Sequence, residues 1–262
     1  MARRWTTEEE QFYRNQLLGL YVAQNLTIGE IGRVLGVAES TVFDRMQRLG
    51  VASIPERKPG YCRRSEVIIP ESYSEELAEF LGIMLGDGHI SHFQTVVTLG
   101  SKELEYVEYV ADLMQRLFNA RGTICVRKNG YRDVYIGSVA LTAWLKEGGL
   151  VNNKVTAQVG VPSWIQDRPV YQERFIRGFF DTDGSVYRLR FGRQISFTNM
   201  SRPLLDSLRE MLSALQYKPS LVSAHRVYLT RKDDVDRFFA EIAPANRKHV
   251  RRYELFTDLT RR

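Results

Sequence analysis

Strand-like alternation and helical periodicity follow one another along this chain, and they do so twice. Thr95-Val-Val-Thr-Leu99 reads as a strand and leads into Leu104 to Leu117, where apolar residues fall at helical spacing; Gln194-Ile-Ser-Phe-Thr198 leads likewise into Leu204 to Leu215. Strand-like segments follow each helix: Thr123 to Arg127 and Asp133 to Ile136 in the first half, Ser220 to Ala224 and Arg226 to Thr230 in the second. Each half closes with a further helix and an Asn-x-Lys, at Asn152 to Lys154 and Asn246 to Lys248. Each half also opens on an apolar run that ends in an acid and a glycine, Phe80-Leu-Gly-Ile-Met-Leu-Gly-Asp87-Gly88 and Ile176-Arg-Gly-Phe-Phe-Asp-Thr-Asp183-Gly184. The two aspartates are about 96 residues apart, enough for one structural repeat. A duplicated fold follows, with one repeat over residues 67–167 and the other over 168–262.

If both apolar runs are helical, Gly82 and Gly86 share one face, and Gly178 and Thr182 take the same places in the second copy. Two stripes of small side chains let helices pack with close backbones. The glycine after each aspartate suits a left-handed residue past the helix end. Asp87 and Asp183 then meet at two helix C-termini, where carboxylates and the negative dipole ends repel. A divalent cation answers that excess charge, and Mg²⁺ prefers such hard oxygen ligands and can assist phosphoryl displacement. Asp181-Thr-Asp183-Gly184 lacks the ligand spacing and terminal glutamate of an EF-hand calcium loop.

The paired motifs resemble those of the LAGLIDADG homing endonucleases, in the monomeric form with two motifs in one chain. The resemblance covers residues 74 to 262 and departs from the pattern at Leu85, where the second copy has Asp181. It implies an α+β core of two αββαββα-like repeats whose antiparallel sheets form a DNA saddle, and site-specific double-strand cleavage leaving short 3′ overhangs. It further implies that Asp87 and Asp183 hold Mg²⁺, that the carbonyls of Gly86 and Thr182 add metal contacts, and that Lys154 and Lys248 assist catalysis near the scissile phosphates. Two alternatives remain open: relatives with this core plus a helix-turn-helix that regulate transcription without cutting, and intron RNA maturases.

Charge agrees with double-stranded DNA as the partner. Lys and Arg number 37 against 31 Asp and Glu, a net charge of +6. The basic residues cluster: Arg127 and Lys128 with Arg132, Arg188 and Arg190 with Arg193, and the run Arg247 to Arg252, with Arg226 and Arg231 between the last two. Strand alternation places Arg188 and Arg190 on one face, where a curved sheet can track a duplex.

The first 66 residues read as a separate module. Helices are predicted over Thr7 to Gln24, Ile28 to Leu35 and Glu39 to Leu49, with Gly36 in the turn between the last two. The segment from Thr27 to Val37 resembles the helix-turn-helix form of DNA-binding domain, in which Ser40, Thr41, Asp44, Arg45 and Arg48 are the exposed face of a recognition helix. Ser53 to Arg64, with two prolines, a glycine and four basic residues including Arg63 and Arg64, has the composition of an exposed linker able to lie along phosphates.

Cys62 and Cys125 make neither a zinc site nor a disulfide framework, which points to a reducing intracellular setting, cytoplasm, nucleoid or organelle matrix. No signal peptide or membrane-length apolar run is present, so no membrane partner is expected. The ends, Met-Ala-Arg and Thr-Arg-Arg, lack the residues of an intein's splicing parts, and the chain reads as a free-standing monomer.

Overall fold

The computed structural model describes residues 5–24, 26–51, 67–151, 154, 156–190 and 192–260. Cys62, Arg63, Arg64, Asn152 and the linker around the first three lie outside them. The chain divides into two compact units, Met1–Arg63 and Arg64–Arg262.

The first unit is a bundle of α1 (Thr7–Leu18), α2 (Ile28–Leu35) and α3 (Glu39–Arg48). Thr6 with Glu9 and Thr27 with Glu30 form reciprocal capping boxes that start α1 and α2. The expected single helix from Thr7 to Gln24 instead passes into a π turn at Gly19–Ala23. Gly36, at φ 64°, turns the chain from α2 toward α3. Leu17, Ile31, Val42, Met46 and Val51 are the buried core.

The second unit is built on α4 (Glu75–Gly86) and α8 (Pro169–Asp183). After α4 come β1 (Gly88–Ile90), β2 (Gln94–Leu99), α5 (Leu104–Phe118), β3 (Thr123–Val126), β4 (Arg132–Gly137) and α6 (Val139–Glu147). A short α7 (Ser163–Gln166) precedes α8, followed by β5 (Gly184–Leu189), β6 (Gly192–Thr198), α9 (Arg202–Ala214), β7 (Arg226–Leu229), α10 (Lys232–Glu241) and α11 (Arg247–Thr260). The fold is α+β, with antiparallel sheets in the orders β1-β2-β4-β3 and β5-β6-β7. Gly88 pairs with Val97 where Gly184 pairs with Phe197, so the repeats superpose register for register.

The two central helices touch backbone to backbone. A Cβ on Gly82 would lie 2.8 Å from the Phe179 nitrogen, and one on Gly178 would lie 3.0 Å from the Glu79 carbonyl carbon. No side chain fits in that gap, so the small-residue stripe is a steric requirement. Around the crossing, Leu77, Phe80, Ile83, Met84 and Leu85 of α4 and Phe175, Ile176, Phe179 and Phe180 of α8 are buried in one continuous core.

Two local expectations are corrected. Gly184 is extended, at φ −87° and ψ 159°, and Gly88 is absent from the left-handed residues. Each glycine opens a strand at once, and each is needed for space: a Cβ on Gly88 would lie 2.5 Å from Met84 Cα, and one on Gly184 would strike Phe180. Ser220 to Ala224 is not a strand; it carries an isolated bridge between Ser223 and Arg226 and a backbone bond from the Ser220 amide to the Tyr228 carbonyl (2.9 Å). The Tyr228 amide donates to the Ser220 hydroxyl (3.0 Å) rather than to a backbone carbonyl, and the hairpin closes through left-handed Ala224 and His225.

Candidate active site and nucleic-acid interface

Both aspartates sit where the central helices end. Asp87 caps α4 and its carbonyl accepts from the Thr98 amide at 3.2 Å, which ties the helix end to β2. Asp183 is the last residue of α8, and its Oδ2 accepts from Asn199 Nδ2 at 2.7 Å. A Cβ on Gly86 would lie 3.5 Å from the Asp183 carboxyl carbon, so the two helix ends bring the acids side by side. Burial pushes Asp87 above its ordinary range, Lys248 and Lys154 oppose that rise, and Glu103 adds to it. Burial raises Asp183 to about 7, with the hydrogen bond from Asn199 opposing and the charge of Asp87 reinforcing.

The two lysines do different things. Lys154 Nζ donates to the carbonyls of Met84 (2.9 Å), Leu85 (3.2 Å) and Gly86 (2.5 Å), covering the negative end of α4. Burial lowers its pKa, against the pull of Asp183 and Asp87. The Gly86 carbonyl, expected to face a metal, therefore already has a cation on it. Lys248 Nζ pairs with Glu103 Oε1 at 2.5 Å. Glu103 was not legible as a site residue, because it sits in the loop after β2 and has no repeated motif around it. It also accepts from Asn246 Nδ2 (2.8 Å) and the Gly100 amide (2.6 Å); burial pushes it up, but the bonds from Lys248 and Asn246 outweigh that and hold it below the usual range.

Asp181, the extra acid of the second motif, faces away from this cluster. It is wholly buried and accepts from the amides of Ala245 (2.9 Å) and Asn246 (3.0 Å). In the first repeat Leu85 takes that place and lines a cavity of about 400 Å³ with Gly149, Leu150 and Val151. The departure from the motif thus leaves an apolar side chain in one half where the other has an acid bound to two loop amides.

Strand register decides which basic residues face outward. In the first sheet Thr95, Val97, Leu99, Val134 and Ile136 are buried toward the helices, which leaves His89, Gln94, Thr98, Asp133, Tyr135 and Cys125 on the other face. Arg127 joins that face, donating through Nε to Asp133 (2.7 Å) and through Nη2 to Thr98 Oγ1 (3.2 Å). Lys128 is exposed in the hairpin turn. Arg132 alternates to the helix side and donates to the carbonyls of Ser101 (2.8 Å) and Gly130 (3.2 Å).

In the second sheet Val186, Ile195, Phe197, Val227 and Leu229 point inward, and Ser185, Tyr187, Gln194, Ser196, Thr198, Arg226 and Tyr228 point outward. Arg188 is paired with Arg193 and shares its side, not the outward face expected of it, while Arg190 is in the exposed turn beyond β5. Arg193 is buried beneath α10 and α11, ion-paired with Asp236 (2.6 Å) and stacked on Tyr253. Its place is structural. Arg231 is exposed and caps α10.

On α3, Ser40 is exposed and Thr41 half-buried. Arg45 lies over the rings of Trp5 and Tyr13, and Arg48 over Trp5 with an ion pair to Glu10 (2.5 Å), so both lean on α1. Among the described residues no group of three or more His, Cys, Asp or Glu could hold a metal on its own, and no helix is long and apolar enough to cross a membrane.

Curated relatives include the replication factor C small subunit of Methanocaldococcus jannaschii, 30% identical over 137 residues (52% of this chain, 7% of that one). Another is the replication factor C small subunit of Thermococcus kodakarensis, 24% identical over 208 residues (75% of this chain, 23% of that one). This chain spans less than a quarter of the length of either. Among solved structures, I-DmoI in complex with DNA and Mn is 18% identical with a TM-score of 0.48, covering 64% of this chain and 96% of that one. Full-length WhiA from Thermatoga maritima is 15% identical with a TM-score of 0.48, covering 73% of this chain and 62% of that one. The model of the LAGLIDADG-like domain matches residues 74–149 and 171–243, more than half of the sequence and both central helices, and the chain belongs to that family.

Proposed function

We propose that this protein is a site-specific, divalent-metal-dependent DNA endonuclease that acts as a monomer, since one chain carries both halves of the site. The observation that carries this reading is the pair of carboxylates, exposed Asp87 and half-buried Asp183, at the ends of two backbone-packed helices and within the field of Lys154 and Lys248. Holding two like charges together at two helix C-termini is unfavourable unless a cation or proton compensates. Both carboxylates are raised by burial, which fits a site for a hard divalent ion such as Mg²⁺. Asp87 and Asp183 would hold it, with the Thr182 carbonyl as a further ligand in this reading, while Lys154 occupies the Gly86 oxygen. Such an ion supplies charge neutralisation at phosphate and a stronger water nucleophile.

The chain's own groups do the rest. Lys154 and Lys248 place positive charge where negative charge grows on the scissile phosphates, and Asn199 fixes the orientation of Asp183. The outward faces of the two sheets would lie on the duplex, with Arg127, Lys128, Arg190, Arg226 and Arg231 at its phosphates and bases. Residues 1–66 form a helix-turn-helix domain and linker in this reading, 67–167 and 168–262 the two repeats. A DNA target puts the protein inside the cell.

A regulator that binds without cutting is the second reading. The paired acids favour the nuclease, because simple binding gains nothing from them. Incubation with a randomised duplex library tests the choice: one long site should be cut in Mg²⁺ and bound intact in Ca²⁺. Tight sequence-specific binding with no cut product in Mg²⁺ or Mn²⁺ establishes the regulator instead.

A further inference from the structure

The two sheets match rung for rung, and at one rung they carry opposite charges. On the strand next to β2, Asp133 pairs with Thr98; on the strand next to β6, Arg226 pairs with Thr198. These rungs are the innermost, since the Thr98 amide binds the Asp87 carbonyl and Asn199, one residue beyond Thr198, binds the Asp183 carboxylate. The neighbouring positions are matched, Gln94 with Gln194 and Tyr135 with Tyr228, each on the outward face. A carboxylate and a guanidinium at equivalent places would present opposite hydrogen-bonding chemistry to a duplex.

The hairpins resolve the conflict. In the second half the turn closes tightly at Ala224 and His225, so Arg226 itself occupies the rung, exposed and hydrogen-bonded to the Tyr228 side chain. In the first half the hairpin runs further, with the Arg127 amide donating to the Tyr131 carbonyl at 2.8 Å, and Arg127 folds back onto the Thr98–Asp133 rung. Asp133 takes the Nε proton and Thr98 Oγ1 one Nη2 proton, which leaves the end of the fork at Nη1 and Nη2 to reach outward. Each half thus places one guanidinium beside the threonine nearest the acids.

Resting on the nuclease reading, we infer that Arg127 and Arg226 are specificity residues that each read a guanine in the base pairs flanking the cleaved centre, one in each half-site at dyad-related positions. Asp133 is a positioning residue that carries Arg127 to the place Arg226 reaches directly. Arginine at guanine O6 and N7 uses the outward end of the fork left open here.

Selection of bound duplexes from a randomised library in Ca²⁺, with the full chain and its Arg127→Ala, Arg127→Lys, Asp133→Ala and Arg226→Ala variants, tests this. Wild type should select guanine at two dyad-related positions. Arg127→Ala, Arg127→Lys and Asp133→Ala should relax the same position, and Arg226→Ala its dyad mate, by about 5- to 150-fold in preference, the range of one bidentate arginine–guanine pair. Arg127→Lys keeps the charge, so its loss of preference with overall affinity retained isolates base reading from phosphate binding. Uniform weakening across all sequences, or a guanine preference that survives in the Arg127 variants, overturns the inference while the nuclease reading stands. Preference lost in Arg127→Ala but kept in Asp133→Ala overturns the role of Asp133. A wild type that selects no duplex at all overturns the nuclease reading, and this inference with it.

Discussion

Asp181 and Asp183 stand two residues apart on one helix and have opposite surroundings. Each Asp181 oxygen takes a backbone amide, from Ala245 and Asn246, so Asp181→Asn replaces one acceptor with a donor facing a donor. That variant should lose about 1–3 kcal/mol in urea denaturation, the usual cost of a buried polar group left unpaired. Asp183→Asn behaves differently: one carboxylate leaves a repelling pair, so stability should hold or rise while double-strand cleavage is lost and DNA affinity changes little. Gel-shift and cleavage assays on one purified variant read both. Lys154→Met and Lys248→Met should slow cleavage more than they weaken binding; equal small losses would make these lysines ordinary phosphate contacts.

Among the elements, the crossing of α4 and α8 is the least tolerant of change. A methyl at Gly178 meets the Glu79 carbonyl group and Ile83, backbone on one side and packed core on the other. Gly178→Ala should therefore cost about 1–3 kcal/mol through overpacking, and a thermal melt that matches wild type would mean the helices can slide apart. The start of α11 gives a pH signature. His249 is buried, and burial with the charge of Lys248 drops its pKa to about 3 against an ordinary 6.5. The folded ring stays neutral while the unfolded one takes a proton, so its contribution is complete above pH 6.5 and declines as the pH falls toward 3. Asp181, raised to about 7 from 3.8 by burial, contributes in the opposite sense, most at low pH and fading as the pH rises through that interval. Comparing His249→Phe with wild type at pH 4.5 and 7.5 isolates the histidine: the gap should move in favour of the variant at the lower pH.

Over the whole molecule, the acids and lysines all belong to the unit Arg64–Arg262, and the first unit has its own core. Deleting residues 1–66 should leave a folded protein that still cuts at high concentration but binds more weakly. Its affinity should fall less steeply with salt, as phosphate contacts are lost. A footprint on one flank of the site should vanish with the deletion. Full footprint and affinity in the truncated protein would assign the first unit to some other partner.

The duplication, the two acids and the small-residue stripe were legible in the sequence because each is a local pattern written twice, and a helix that must touch another backbone has to carry glycine at fixed spacing. The capped helices of the first unit were legible for the same reason. Glu103 was not, since it meets Lys248 and Asn246 only when the two halves close on each other. Alternation along a strand said that residues two apart share a side but not which side faces the helices. Register and burial settled that, turning Arg193 inward and Arg132 to the helix side and leaving Asp133 and Arg226 outward. The left-handed glycines expected after the aspartates became strand starts, because the room each glycine provides is set by Met84 and Phe180 packed behind it. Sequence by itself determined what is periodic and repeated; which face a charge meets, and which carbonyl a lysine reaches, are distances between segments far apart in the chain, and only the tertiary packing decides them.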